Sequence, residues 1–209
     1  MKIKVTFDGK EYMVEEGLTV LDAALSCGIN IPHLCSLPEI DAWGGCRMCL
    51  VQIEGVRGYP ASCTIKVQEG MKITVLSSEL AKLRTLNFQL LLSRHPTNCL
   101  TCRKNQSCEL QKTAADLGIN ERKYDKTAMS YNKYLNHPLI TVDDSYCIGC
   151  QRCVRVCKDI KGSNIICMVG RGINSHIAFY EDEEKLIEKC SGCMKCVQAC
   201  PVAALKENK

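Results

Sequence analysis

The sequence predicts an α+β chain of three small modules, each built around a group of metal-ligating side chains, and three observations carry that expectation. Seventeen cysteines occur in 209 residues and fall into close groups. Apolar residues alternate near the start and recur at helical spacing further on, so strands and helices are both present. Only three Phe and one Trp supply large rings, so ligation of the cysteines must hold much of the chain together in place of apolar packing. The start MKIKVTFDGK lacks an apolar signal core, and no later run is long and apolar enough to span a membrane. The cysteines are therefore expected in a reducing cytoplasm, where close groups of them read as metal ligands before disulfides. The net charge of +4 is mild and spread along the chain, which gives no nucleic-acid signal.

The first module is expected over residues 1–77. KIKVTF alternates Ile3, Val5 and Phe7, Asp8-Gly9 is a favoured two-residue hairpin turn, and EYMVEE returns with Tyr12 and Val14 apolar. Thr19 stands three residues before Asp22 in a capping-box arrangement that opens a short helix through Val20, Leu21, Ala24 and Leu25, with Gly28 placed to end it. Cys35, Cys46, Cys49 and Cys63 follow as C-x10-C-x2-C-x13-C, which keeps the central C-x2-C of plant-type 2Fe-2S ferredoxins and lengthens the first gap. Hairpin, helix and cysteine loop together look like a ferredoxin-type β-grasp fold. Gly44 and Gly45 provide backbone without side chains just where the loop must wrap closely. A zinc loop is the rival reading.

The second module is expected over residues 78–137. A helix from Ser78 carries Leu80, Leu83, Leu86 and Leu90 at helical spacing and runs almost to His95, where Pro96 stops it. His95, Cys99, Cys102 and Cys108 then give H-x3-C-x2-C-x5-C, which suits tetrahedral zinc and an iron-sulfur cluster equally well. The segment from Glu121 to His137, with Tyr124, Tyr131 and Tyr134 among basic residues, is read as a connector touching a partner subunit.

The third module is expected over residues 138–209. Cys147, Cys150, Cys153 and Cys157 give C-x2-C-x2-C-x3-C, and Cys190, Cys193, Cys196 and Cys200 repeat it with Pro201 following. This is the bacterial two-cluster pattern, in which the fourth cysteine of each run ligates the other cluster. Cys147, Cys150, Cys153 and Cys200 are thus expected to hold one 4Fe-4S cubane, and Cys157, Cys190, Cys193 and Cys196 the second. Lys158 replaces the usual proline of the first run, and that residue is no ligand. With redox centres on both sides, a redox-inert zinc at His95 would interrupt the chain of electron carriers, so a His/Cys3 4Fe-4S cluster is expected there. The cofactors are then one 2Fe-2S and three 4Fe-4S clusters.

In this order the motifs resemble the electron-relay region at the front of iron-only hydrogenases and NAD-linked formate dehydrogenases. The first two also look like the complex I large iron-sulfur subunit and the small diaphorase subunit of NAD-reducing nickel-iron hydrogenases. VGRGINSHIAF resembles the Gly-Arg-Gly connection between the doubled runs of those proteins. The resemblance implies the same ligand sets, and it implies partners: a flavoprotein that oxidises NAD(P)H, hydrogenase or formate dehydrogenase catalytic subunits, and soluble ferredoxin. The sequence ends nine residues after Cys200 and holds no G-x-G-x-x-G or Walker-type motif. The expectation is therefore a chain with no catalytic residues of its own, the electron-transfer subunit of a multi-subunit NAD(P)-linked oxidoreductase, in a flavin-based electron-bifurcating hydrogenase complex. The alternatives are a formate dehydrogenase or transhydrogenase relay, or a free multi-cluster ferredoxin or redox sensor. Free ferredoxins are typically acidic, and a charge of +4 favours the docked subunit.

Other reactive residues read as structural. Cys27 lies on the apolar side of the first helix and Cys167 in a strand, where a free cysteine packs as a small apolar residue. His33, His137 and His176 have no ligand set of their own. Arg103, Lys104, Arg152, Arg155 and Lys158 lie near the ligands, where they would stabilise added electrons if their side chains point inward; they are expected to be mostly solvated.

Overall fold

The computed structural model describes residues 1–125, 137–180 and 183–208. The chain divides into two compact units, Met1–Ser36 with Ala42–Phe88, and Leu37–Asp41 with Gln89–Lys209. The helix that opens at Ser78 contributes to the first unit up to Phe88 and to the second from Gln89. Tyr131, Tyr134 and the rest of the connector at 126–136 lie outside the described residues.

In the first unit, strands β1 (Lys2–Phe7) and β2 (Lys10–Glu15) pair antiparallel, from Lys2 opposite Glu15 to Phe7 opposite Lys10. Asp8 and Gly9 both take positive φ, 46° and 81°, the two-residue turn whose twist matches that of the strands. The alternation then works as physics requires: Ile3, Val5 and Phe7 are buried, Lys2 and Lys4 face out, and Thr6 is half-buried. Helix α1 (Val20–Ser26) is capped by Thr19, whose Oγ1 accepts from Asp22 N at 3.1 Å while its hydroxyl donates to the Asp22 carboxylate at 2.6 Å. Gly28, at φ 75°, ends it in a Schellman motif, with Gly28 N donating to Leu25 O and Ile29 N to Ala24 O. Leu25 departs from its expected place in the apolar run. It is 40% exposed, because the last turn of this short helix runs past the core that Leu21 enters.

Strands β3 (Gln52–Ile53) and β4 (Lys72–Thr74) complete a sheet of order β2-β1-β4-β3, with β4 parallel to β1 and antiparallel to β3. Phe7, Val20, Leu21, Ile31, Val51 and Val75 form its core under α1, with Cys49 and Cys63 in the same cluster and Cys27 packed partly against it.

Helix α2 (Ser78–Leu92) forms where the leucine spacing places it but buries a different face. Leu80, Arg84, Phe88 and Gln89 are buried, whereas Leu86 and Leu90 are 45% and 53% exposed. The inward row steps by four residues from Leu80 to Arg84 to Phe88, which keeps one face of a helix together. Arg84 belongs in that row because its Nη2 donates to Leu50 O at 2.6 Å.

The second unit contains α3 (Glu109–Asp116), β5 (Ile140–Val142) and α4 (Arg152–Arg155), which widens into a π-type turn over Val156–Ile160. Then follow β6 (Ile166–Val169), β7 (His176–Phe179), α5 (Glu183–Lys189), α6 (Lys195–Ala199) and β8 (Leu205–Glu207). β5 pairs antiparallel with β8, and β6 with β7. The turn between β6 and β7 is close: a Cβ on Gly170, at φ 79°, would lie 2.3 Å from Asn174 O. Cys167 is buried in β6 and its Sγ donates to Ala178 O at 3.4 Å. Among the described residues, no helix is long and apolar enough to cross a membrane.

Candidate metal centres

The loops that carry the cysteines are shaped by backbone as much as by side chains. In the first unit Cys35, Cys46, Cys49 and Cys63 are all buried. Cys63 sits in a 3-10 turn, Ser62–Thr64, anchored by Ser62 N to Cys49 O at 2.9 Å. Gly44 has φ 69°, and a Cβ there would stand 3.2 Å from a Thr64 methyl; one on Gly45 would strike the Trp43 ring at 2.1 Å. The four thiols are linked by hydrogen bonds. Hydrogen bonds from Cys46 and Cys63 hold Cys35 down at about 2, and one from Cys63 holds Cys49 at about 6. Cys46 and Cys63, which give those bonds, are pushed up by them and by burial. Four buried sulfurs linked by hydrogen bonds could hold a metal, since the thiolate is the ligating form. Arg84, missed in the sequence, adds a buried cation here: it is attracted to Cys49, while burial draws its pKa down.

In the second unit, the chain leaving α2 brings in His95, which is buried. Its Nδ1 lies 2.6 Å from Pro96 O, so the neutral ring carries its proton there and presents the lone pair on Nε2, as a metal-ligating imidazole does. The Tyr146 ring meets His95 edge-on at 5.5 Å and 83°. Asn98 Nδ2 donates to the Tyr146 hydroxyl at 3.0 Å. Cys99 is exposed, while Cys102 and Cys108 are partly buried. Cys108 caps α3. Its thiol is raised chiefly by burial and also by the charges of Cys102 and Cys99, while the N–H groups of Gln111 and Leu110 pull it down. Cys99 and Cys102 therefore lie within electrostatic range of Cys108.

The doubled run repeats in the backbone. Gly149 and Gly192 take φ 68° and 62°, and Gln151 and Met194, which open α4 and α6, take φ 56° and 53°. Each run thus turns sharply on both sides of its second cysteine. Burial raises Cys147 to about 11 and Cys150 to about 12, and it raises Cys153 further; each also feels the charge of Cys200. Cys157 instead lines one cavity with Cys190, Cys193 and Cys196, beside Lys161 and Lys195. Cys196, raised to about 12 mainly by burial, feels Cys157, Cys193 and Cys190. The structure therefore brings Cys200 to the first three cysteines of the other run, and Cys157 likewise.

Of the five cations near the ligands, Arg152 is buried, contrary to the expectation of a solvated charge, because Glu109 meets it in a two-bond ion pair. Arg103 Nη2 donates to Ala203 O and Leu205 O, and Lys104 Nζ to Cys200 O. Those two side chains are tied to the backbone of the Cys200 segment. His33 and His176 bond to nearby carbonyls, Ile31 O and Asn174 O, and the His137 ring packs on Phe179. Among the described residues no group of three or more His, Cys, Asp or Glu is close enough to hold a single metal ion.

Thiol-lined sites repeated through ferredoxin-like 2Fe-2S and 4Fe-4S domains of mixed α/β content define an iron-sulfur protein. Residues 1–78 match the 2Fe-2S iron-sulfur cluster binding domain, residues 84–123 the NADH-ubiquinone oxidoreductase-G iron-sulfur binding region, and residues 137–206 the NADH-quinone oxidoreductase subunit 3 ferredoxin-like domain. A chain in the crystal structure of an NAD+-reducing [NiFe]-hydrogenase in the H2-reduced state superposes with a TM-score of 0.88 at 30% identity, over 99% of this chain and 87% of that one. The chain belongs to this family of iron-sulfur subunits of NAD(P)-linked oxidoreductases. It is 36% identical to the NADPH-Fe(3+) oxidoreductase subunit alpha of Geobacter sulfurreducens, over 97% of this chain and 24% of that protein. It is also 36% identical to the NADP-reducing hydrogenase subunit HndD of Solidesulfovibrio fructosivorans, over 99% of this chain and 36% of that protein. The chain thus spans from a quarter to about a third of the length of these two relatives.

Proposed function

We propose that this chain is a non-catalytic electron relay, passing electrons between a flavoprotein subunit that oxidises NAD(P)H and a hydrogenase module in a cytoplasmic, electron-bifurcating complex. Cys35, Cys46, Cys49 and Cys63 hold a 2Fe-2S cluster. His95, Cys99, Cys102 and Cys108 hold a 4Fe-4S cluster; Cys147, Cys150, Cys153 and Cys200 hold a second, and Cys157, Cys190, Cys193 and Cys196 a third. Bound clusters supply one-electron steps, which a flavin can feed from a two-electron nicotinamide. The protein's own part is to bury the sulfurs, release their protons to solvent as the thiolates bind iron, and keep cations such as Arg84 nearby where they favour an added electron.

The observation that carries this reading is the match to a chain of an NAD+-reducing hydrogenase, at 30% identity and over 87% of that chain, which supports a relay role. The test is anaerobic purification with iron and sulfide analysis and electron paramagnetic resonance. Equal iron and sulfide are expected, with signals of one 2Fe-2S and three 4Fe-4S clusters and almost no zinc. Dithionite should reduce the lone chain, whereas NADH and hydrogen should do so only after the partner subunits are added. Stoichiometric zinc with one cubane missing would overturn the His95 assignment. Turnover of NADH or hydrogen by the lone chain would overturn the relay.

A further inference from the structure

Arg152 lies between Cys150 and Cys153 in the sequence and is 2% exposed. Its Nη1 and Nη2 donate to the two carboxylate oxygens of Glu109 at 2.6 and 2.8 Å, and Nη1 stands 3.5 Å from Ala199 O, next to Cys200. Glu109 directly follows Cys108, and its own N–H donates to Pro201 O at 3.0 Å. One ion pair therefore joins the ligand loops of two separate thiol groups. Its halves differ in setting: the Arg152 side chain is 2% exposed and that of Glu109 48%, so water screens the carboxylate far more than the guanidinium. As a brace alone the pair is a poor choice, since apolar residues of similar size often hold a buried position as well or better. The charge itself offers a role that apolar residues cannot fill.

We propose that Arg152 and Glu109 form a shared electrostatic element of two neighbouring clusters, Arg152 drawing an electron toward the Cys147, Cys150, Cys153 and Cys200 site and Glu109 tempering that pull. This rests on the cluster assignment above. An electron arriving at that site leaves the His95, Cys99, Cys102 and Cys108 cluster, which is oxidised as the other is reduced. The pair exchanges no proton and forms no bond. Arg152 and Glu109 are thus positioning residues for the electron, and their balance sets which cubane it prefers.

The test is a redox titration of the full holo chain, followed by electron paramagnetic resonance, with the signal of the Cys150 site identified as the one lost in Cys150→Ser. Glu109→Gln keeps a hydrogen-bond acceptor but removes the opposing charge. It should raise the potential of that cubane and shift the electron partition toward it about threefold, about 28 mV for one electron, since water screens the carboxylate it removes. Arg152→Lys should stay near wild type, and the double variant Glu109→Gln with Arg152→Gln should cancel the rise while leaving no buried charge. Unchanged potentials in Glu109→Gln and the double variant, at full iron content, would overturn the proposal. Loss of the cubane in Glu109→Gln would also overturn it and make the pair a structural brace. Wild-type iron and sulfide report separately on the clusters, so failure of the assignment itself is seen before any variant is read.

Discussion

His95 is the one neutral donor among the sixteen proposed ligands, and replacing a thiolate by an imidazole makes a cluster site less negative. His ligation raises the potential of Rieske centres in the same way. His95→Cys should therefore keep its cubane but lower the potential, and His95→Ala should remove that cubane's spectrum while sparing the rest; redox titration of each variant checks both. Cys157 and Cys200 carry a second consequence. Cys157→Ala should damage the cubane of Cys190, Cys193 and Cys196 and leave that of Cys147, Cys150 and Cys153 at first, measured as which resonance signal disappears. At this scale the groups of cysteines were legible because ligand spacing is a local property of the chain. Arg84 and Arg152 were not, because a charged residue reads as solvated until the structure supplies its partner. Those partners are Leu50 O, 34 residues away, and the Glu109 carboxylate, 43 residues away.

Among the elements, the hairpin and α1 were readable from Asp8-Gly9, Thr19 and Gly28, since turns and caps are set by residues adjacent in sequence. The inward face of α2 was not. Four leucines suggested one stripe, but burial follows what the helix packs against, and Phe88 with the aliphatic stem of Arg84 took the place expected for Leu86 and Leu90. Phe88→Ala should therefore cost about 3–5 kcal/mol. Leu90→Ser should stay within about 0.5 kcal/mol. Thermal unfolding midpoints by circular dichroism, under anaerobic conditions at matched iron content, separate the two. Thr19→Ala should cost about 1 kcal/mol through the lost cap.

For the molecule as a whole, the two units depend on metal to different degrees. The first has a continuous apolar core running from Ile3 to Val75 beneath its sheet. The second has short elements, two-stranded sheets and twelve of the proposed ligands, so cluster binding must contribute much of its folding free energy. Stripping iron with a chelator should leave hydrogen-exchange protection largely intact in β1, β2 and α1 but remove it from α4, α6 and β7. Equal loss in both units would contradict this. The mixed α/β content and the ferredoxin-like domains could be foreseen from motif order. The division into two compact units could not, because α2 reads as one uninterrupted helix while its residues contribute to both.

The pairing of β5 with β8 has a further consequence. Asn208 N donates to Leu139 O at 3.0 Å, so the stretch from Leu139 to Asn208 begins and finishes at the same place. The order in which its segments are strung is then free to change. A circular permutant, with those neighbouring ends joined by a short glycine linker and new termini opened between Gly172 and Asn174, should still gather Cys157 with the 190s and Cys200 with the 140s. Recovery of both cubane signals from such a rearranged chain would show that iron selects its sulfurs by their places in space, whatever their succession along the polypeptide.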